Sequence, residues 1–266
     1  MGTGSGLLAM MAAQAGADRC ASCVRLLCPG VTLTHAAARS VVAVDIHEPL
    51  ALVARRNIAA NGLSQRVSVA CRDVGLIERG RDVRQQGCNF VVVDMFDAGL
   101  LGDRVGTLLG MAGRNVLQPG ATVVPAAATV YCIGIEALTS DVHGFDFSAF
   151  NRYRRVPAAC LRLPSFRLTR PAPCSWQNGY ESVRMRDIPH RKLTRPKKVF
   201  EFFFDGALKS TAQEGIIKLE PIADGQLNAV CFWFDLHLDE EATITTAPPG
   251  IGKGGQMVED DDKVRA

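Results

Sequence analysis

No stretch of about 18 apolar residues occurs in the chain, so no membrane-spanning helix is expected and a membrane is not an expected partner. Charge of one sign is also lacking. The 30 basic residues stand against 27 acidic ones and the two are scattered, a balance that gives direct nucleic-acid binding no footprint. The mildly basic stretch RMRDIPHRKLTRPKK (Arg184 to Lys198) reads as a solvated loop face. The first residues lack a charged region followed by an apolar core, which leaves the cytosol or the nucleus as the expected compartments. The nine cysteines are an odd number at irregular spacings, an argument against a disulfide framework and for reduced thiols. Cys20, Cys23, Cys28 and His35 invite a zinc reading, but the single CxxC has no matching second pair and no metal is expected.

Against those absences, 266 residues with 47% hydrophobic content provide one large core or two modest ones. From Gly2 to about Gly120 helical stretches alternate with short apolar runs. LLAMMAAQAGA is rich in Ala, Leu and Met and predicts a helix starting at a glycine loop and ending at Gly16. VVAVD (Val41 to Asp45) predicts a strand, EPLALVARRNIAANG a helix stopped by Gly62, RVSVACRD a third strand and NFVVVDMFD (Asn89 to Asp97) a fourth. The series predicts an α/β domain with a parallel sheet covered on both faces. After VLQPGATVVPAAATVYCIGI the pattern changes. Alternating runs such as VFEFFFDG and NAVCFWFDLHL lie between Pro- and Gly-rich turns, which predicts antiparallel strands in a barrel or sandwich. The boundary is placed near Pro125, and APPGIGKGGQMVEDDDKVRA has the composition of a disordered tail.

Four groups carry the chemistry. Gly2, Gly4 and Gly6 form G-x-G-x-G, where glycine lets the backbone approach a ligand closely. The dinucleotide fingerprint needs glycine where Leu7 stands, so the loop favours a nucleoside cofactor such as S-adenosyl-L-methionine. Asp45, at the end of the next strand, is placed to accept hydrogen bonds from both hydroxyls of a ribose. It stands 39 residues after Gly6, where roughly 20 is usual. Setting aside the 21 residues from Cys20 to Ser40 restores a spacing of 18, so that segment reads as an insertion. Asp73 follows a third strand and suits either an adenine amino group or a turn cap. In VVVDMFDAGLLGD, Asp94 at a strand end and Asp103 on the returning loop, with Asp97 between them, are a pair of carboxylates fit to grip a guanidinium.

Taken in order and spacing, GTGSGLLAMMAAQAGA, VVAVD, VVVDMFDAGLLGD and VLQPGATVVPAAATVY resemble the protein arginine methyltransferases, from about Gly2 to Gly250. MFDAGLLGD, GFDFSAFNRYR and NAVCFWFDLHLDEEATITTAPPG look most like the monomethylating, type III branch. The resemblance implies a Rossmann-like S-adenosylmethionine-dependent methyltransferase sheet over residues 1–124, with 20–40 inserted. An incomplete antiparallel β-barrel-like substrate and dimerisation domain follows over 125–248, and a tail over 249–266. It implies that Gly2, Gly4 and Gly6 line the methionine end of S-adenosyl-L-methionine, that Asp45 binds its ribose, and that Asp73 sits near its adenine. Asp94 and Asp103 fall where the family's paired glutamates grip the substrate arginine. Implied partners are arginine-containing protein segments, Arg-Gly-rich or Arg-x-Arg, histones among them, and a second copy of the chain or a tandem pseudo-dimer.

The chain departs from the family in four respects. Both members of the acid pair are Asp, one methylene short of Glu. The strand expected before Gly2 is absent, which predicts two unpaired neighbours in the sheet, and the helices that close over the cofactor are absent with it. A Thr-His-Trp-like loop with the remaining barrel strands is not found at the other end, so the chain is expected to be incomplete at both ends. An inactive remnant or interaction module and a small-molecule methyltransferase are the alternative readings. The barrel-like second half speaks against the latter.

Overall fold

A computed structural model of the chain describes residues 2–15, 20–22, 41–102, 105–137, 141–142, 144–149, 182–204 and 213–258. The chain divides into two compact units. One comprises Met1–Thr129, Glu201–Glu214 and Leu236–Ile244, the other Val130–Phe200, Gly215–Asp235 and Thr245–Ala266.

The first unit opens on the glycine loop, which runs straight into α1 (Leu7–Gln14). No side chain caps this helix, and its N-cap is Gly6 at φ 83°, a left-handed angle that glycine adopts without strain. Its other end is held by the Arg66 guanidinium, which donates to the Ala13 carbonyl. There follow β1 (Cys20–Ser22), β2 (Val41–Asp45), α2 (Glu48–Ala60), β3 (Val67–Cys71), β4 (Cys88–Val92), α3 (Val105–Asn115) and β5 (Leu117–Val124). Pro49 sits in the first turn of α2, where its missing N–H costs nothing, and Gly62 at φ 68° turns the chain out of the helix. The sheet is parallel, in the order β3-β2-β1-β4-β5. All five residues of β2 are buried, as a central strand covered on both faces requires. One face packs Ala9, Ala12 and Ala13 of α1 and Ile58 of α2 against Val41, Ala43 and Val67. Helix α3 packs against β5.

Two expectations are corrected by β1. Residues 20–22 are not inserted material. They form the middle strand, with Cys20, Ala21 and Ser22 opposite Val41, Val42 and Ala43 on one side, and Cys20 and Ala21 opposite Phe90 and Val91 on the other. The neighbours expected to be unpaired are therefore paired. The same slot is continued at its top by the amides of Gly2 and Thr3, which both donate to the Val44 carbonyl at 3.0 and 2.9 Å. Backbone demand explains this: a gap in mid-sheet leaves two rows of buried donors and acceptors unsatisfied, and any segment within reach that pairs with them is favoured. Residues 23–40, including Cys23, Cys28 and His35 of the zinc reading, lie outside the described residues.

The remaining strands are β6 (Ala127–Ala137), the short pair β7 (Asp141–Val142) and β8 (Phe145–Asp146), then β9 (His190–Lys192), β10 (Lys197–Phe203), β11 (Ala229–His237) and β12 (Thr243–Thr245). Strands β10, β6, β11 and β12 form an antiparallel sheet in that order, with β9 paired to β6, while β7 and β8 pair only with each other in a two-stranded sheet. The basic stretch expected as a loop face thus supplies β9 and the start of β10. In the second unit Ile133 and Ile135 pack with Trp233 and Ile251, and the Tyr131 ring stacks on Trp233 at 5.8 Å. Part of the expected tail is also built into this unit. Ile251 is buried and bridges Met257, and the Gly252 amide donates to the Gln256 carbonyl at 2.8 Å.

Candidate functional site

The glycine loop lies at the C-terminal end of β2, the end at which parallel α/β sheets present their ligand crevice. Two elements brace it. From the sheet, Asp45 is only 3% exposed and spends its carboxylate locally: Oδ2 accepts the Gly4 amide at 2.9 Å and Oδ1 accepts the His47 amide at 2.9 Å. From α2, the Asn57 side-chain amide donates to the Ser5 carbonyl at 2.9 Å. Ala54 packs so closely on Gly6 that a Cβ there would sit 3.1 Å from its own Cβ. The three glycines divide the work. All have positive φ, but Gly6 is seated against a helix, while no described residue stands within 4 Å of where a Cβ on Gly4 would be. A bare backbone carrying open space on one side and a buried carboxylate on the other is a cradle for a small polar ligand.

Asp73 sits two residues past Cys71, the residue opposite Asp45 in the β2-β3 register. It is exposed and caps a short 3-10 turn, accepting the Gly75 amide at 2.7 Å. Asp94 is exposed and lies just beyond the end of β4. The next residue, Met95, approaches the glycine loop, its Cγ 3.7 Å from where a Cβ on Gly2 would stand. The structure therefore gathers Gly2, Gly4, Gly6, Asp45, Asp73 and Asp94 around the ends of β2, β3 and β4. Asp103 lies outside the described residues.

Several residues organise this region in roles that the sequence pattern does not give. Asp97 fastens the loop after β4, its Oδ1 accepting the amides of Gly99 at 3.1 Å and Gly102 at 2.9 Å. Phe96 packs on the fully buried Phe204 with ring centroids 5.6 Å apart. Leu100, itself buried, holds φ at 69°, an angle that costs a non-glycine residue about 1–3 kcal/mol and persists only where surroundings enforce it. Asp97 stands in a D-x-G context that offered a turn; Asn57 looks like any polar helix residue. Among the described residues no cluster of three or more His, Cys, Asp or Glu could hold a metal ion. A separate cavity of about 450 Å³ in this unit is lined by Leu8, Met11, Phe90, Val92 and Val124. None of the gathered glycines or acids reaches it, so it is not the site that the acids mark out.

No protein-family model matches the chain. It is 25% identical over 254 residues to protein arginine N-methyltransferase 7 of Drosophila grimshawi, an alignment covering 93% of this chain and 32% of the relative. The Drosophila melanogaster protein of that name is 25% identical over 248 residues, 92% of this chain and 32% of its own length. The chain thus spans about a third of the length of the curated relatives it matches. Among solved structures it is similar in fold to Arabidopsis thaliana protein arginine methyltransferase 10, with a TM-score of 0.58 and 18% identity over 96% of this chain and 69% of that one. It is also similar to the Trypanosoma brucei PRMT1 enzyme-prozyme heterotetrameric complex with AdoHcy, with a TM-score of 0.55 and 18% identity over 92% and 74%.

Proposed function

We propose that this chain, which stands with the protein arginine N-methyltransferases in sequence and in fold, binds S-adenosyl-L-methionine at the glycine loop and belongs to a protein that methylates arginine guanidinium groups. The observation that carries the reading is the Asp45-Gly4 hydrogen bond. It shapes an unobstructed glycine backbone at the strand ends, where a nucleoside cofactor fits. The carboxylate serves the loop first. Each of its oxygens retains a second lone pair, the capacity needed to accept a ribose hydroxyl. Asp73 stands on the adenine side, with one oxygen engaged by Gly75.

When bound, S-adenosyl-L-methionine supplies a sulfonium methyl group open to in-line attack by an arginine nitrogen. The residues of this chain contribute orientation and charge. Asp94 accepts hydrogen bonds from the guanidinium and holds its attacking nitrogen in line, with Asp103 as the second carboxylate. Two carboxylates there also stabilise the positive charge that moves onto the guanidinium as the methyl–sulfur bond breaks, and either can accept the proton that the methylated nitrogen then sheds. A single transfer per arginine, monomethylation, is the outcome that the resemblance to the type III branch supports; the aspartates, one methylene shorter than glutamates, hold the guanidinium more loosely than a glutamate pair would. The substrates of this reading are Arg-Gly-rich or Arg-x-Arg protein segments, histone tails included, met in the cytosol or nucleus by a dimer or tandem pseudo-dimer.

The test uses the complete protein, labelled cofactor and two peptides, one Arg-Gly-rich and one Arg-x-Arg. Methyl transfer is expected, and Asp94→Ala is expected to abolish it while cofactor binding persists. Undiminished transfer by that variant removes the role given to Asp94. Failure of the unaltered protein both to bind the cofactor and to transfer methyl favours the inactive remnant.

A further inference from the structure

The second unit contains two buried polar atoms without a partner among the described residues: the indole nitrogen Nε1 of Trp233 and the carboxylate oxygen Oδ1 of Asp235. The side chains are 2% and 1% exposed, so bulk solvent satisfies neither. Both residues lie on β11, two positions apart, and successive side chains of a strand alternate faces, so these two share one. The other oxygen of Asp235 is engaged. It accepts the Gly254 amide at 2.7 Å and so anchors the Gly252-Lys253-Gly254-Gly255 turn. That turn is fitted closely, for a Cβ on Gly255 would stand 2.9 Å from the ring of Tyr131, which stacks on Trp233.

We propose that Trp233 Nε1 and Asp235 Oδ1 are joined by one buried water molecule, which makes Trp233 a positioning residue for the glycine turn. The chemistry of the pair selects the occupant. An indole N–H is a donor only and repels a cation; a carboxylate oxygen is an acceptor only and repels an anion. What bridges them must both accept and donate, and two nearly closed side chains admit nothing much larger than water. The span agrees. Side chains two apart on one strand face start about 6.6 Å from one another, and a donor and an acceptor sharing one water oxygen stand about 4.5–5 Å apart, so the two side chains need only lean toward each other to be bridged. Left unbridged, each atom would forfeit its solvation with nothing in return. The water thus fixes the carboxylate in the orientation that receives the Gly254 amide.

The inference does not depend on the proposed reaction and is tested on the full chain without cofactor. The sequence has two tryptophans, so Trp176→Phe leaves one indole signal to assign. A rotating-frame NMR cross-peak between the Trp233 indole proton and a long-lived water is expected; absence of any water cross-peak overturns the proposal. Amide hydrogen exchange at Gly254 supplies the second measurement. Trp233→Phe keeps an aromatic ring, though a smaller one, but removes the donor and should accelerate exchange about tenfold, as should Asp235→Asn, with no further gain in the double variant. Exchange unchanged in Trp233→Phe, or additive effects in the double variant, shows that the two residues act separately. Should Trp233→Phe not fold, the cross-peak on the Trp176→Phe protein decides alone.

Discussion

Asp45 Oδ2 receives the Gly4 amide at 2.9 Å across 41 positions of sequence, and that bond ties the first loop of the chain to the end of the strand beside it. With the His47 amide on the other oxygen, the buried carboxylate satisfies one donor from the glycine loop and one from the turn that follows β2.

Asp45→Ala is expected to leave both amides without their acceptor, at a cost of about 1–3 kcal/mol. The same change should lower affinity for S-adenosyl-L-methionine by tenfold or more. Thermal melting and titration calorimetry on wild type and variant check the two effects separately. A variant that melts like wild type would show the carboxylate to be dispensable for the loop.

Gly4→Ala and Gly6→Ala should part company. Both place a side chain at positive φ, but among the described residues only Gly6 has a neighbour in the way, at 3.1 Å from Ala54. Gly6→Ala is expected to be the more destabilising, by about 1–3 kcal/mol over Gly4→Ala. Gly4→Ala should instead lose cofactor affinity out of proportion to its melting temperature, because its methyl group enters the open space. Equal stability losses in denaturant titrations would contradict the division of work between the two glycines.

Ala21→Pro probes the middle of the sheet. Ala21 pairs with Val42 on one side and Val91 on the other, so proline removes a ladder donor from a central strand. The expectation is a loss of about 3 kcal/mol or more and a broadened unfolding transition for the first unit. Were residues 20–22 dispensable surface chain, the substitution would be silent in chemical denaturation.

The acid limb of the stability profile has an identifiable contributor. The hydrogen bond from Arg191, followed by that from the Gln226 amide, holds the Glu136 carboxyl below its ordinary value. A folded-state pKa lowered in this way stabilises above the unfolded value and is lost as pH falls through the folded one. Melting temperature should therefore fall below about pH 4.5, and less steeply in Glu136→Gln. At the alkaline end the sign reverses. Burial pushes the Cys88 thiol up from 9.0 to about 11, so its contribution is intact below pH 9 and disappears between there and about pH 11. Cys88→Ser should flatten that limb.

Legibility in the sequence followed the strength of local signals. Helix α2 was readable from its helical run and from Gly62 at its end, and β2 from a β-branched run closed by an acid. Strand β1 was not, because Cys20-Ala21-Ser22 contains no β-branched residue and no alternation; its place is decided by the unsatisfied edges of β2 and β4, which are long-range facts. The glycines and Asp45 were legible as a group because the chemistry of close backbone approach is written in residue type. The fastening roles of Asn57 and Asp97 are matters of hydrogen-bond direction, which composition does not encode. Residues 249–258 read as tail because Gly and Pro dominate them, yet the packing of Ile251 and the acceptor on Asp235 hold them in place.

The shared slot beside β2 bears on the order in which the first unit assembles. Two pieces of chain on either side of α1 fill it, Gly2 and Thr3 above and Cys20 to Ser22 below, so neither alone zips the sheet shut. The β2-β3 pair and the helix between them are local and can form early. Closure onto β4 joins positions far apart in the chain and must await a long loop, the slow kind of event in folding kinetics. Until it happens, β2 and β4 each present a raw hydrogen-bonding edge. The rate at which three small residues find that gap then governs how long the nascent domain is exposed to pairing with its neighbours.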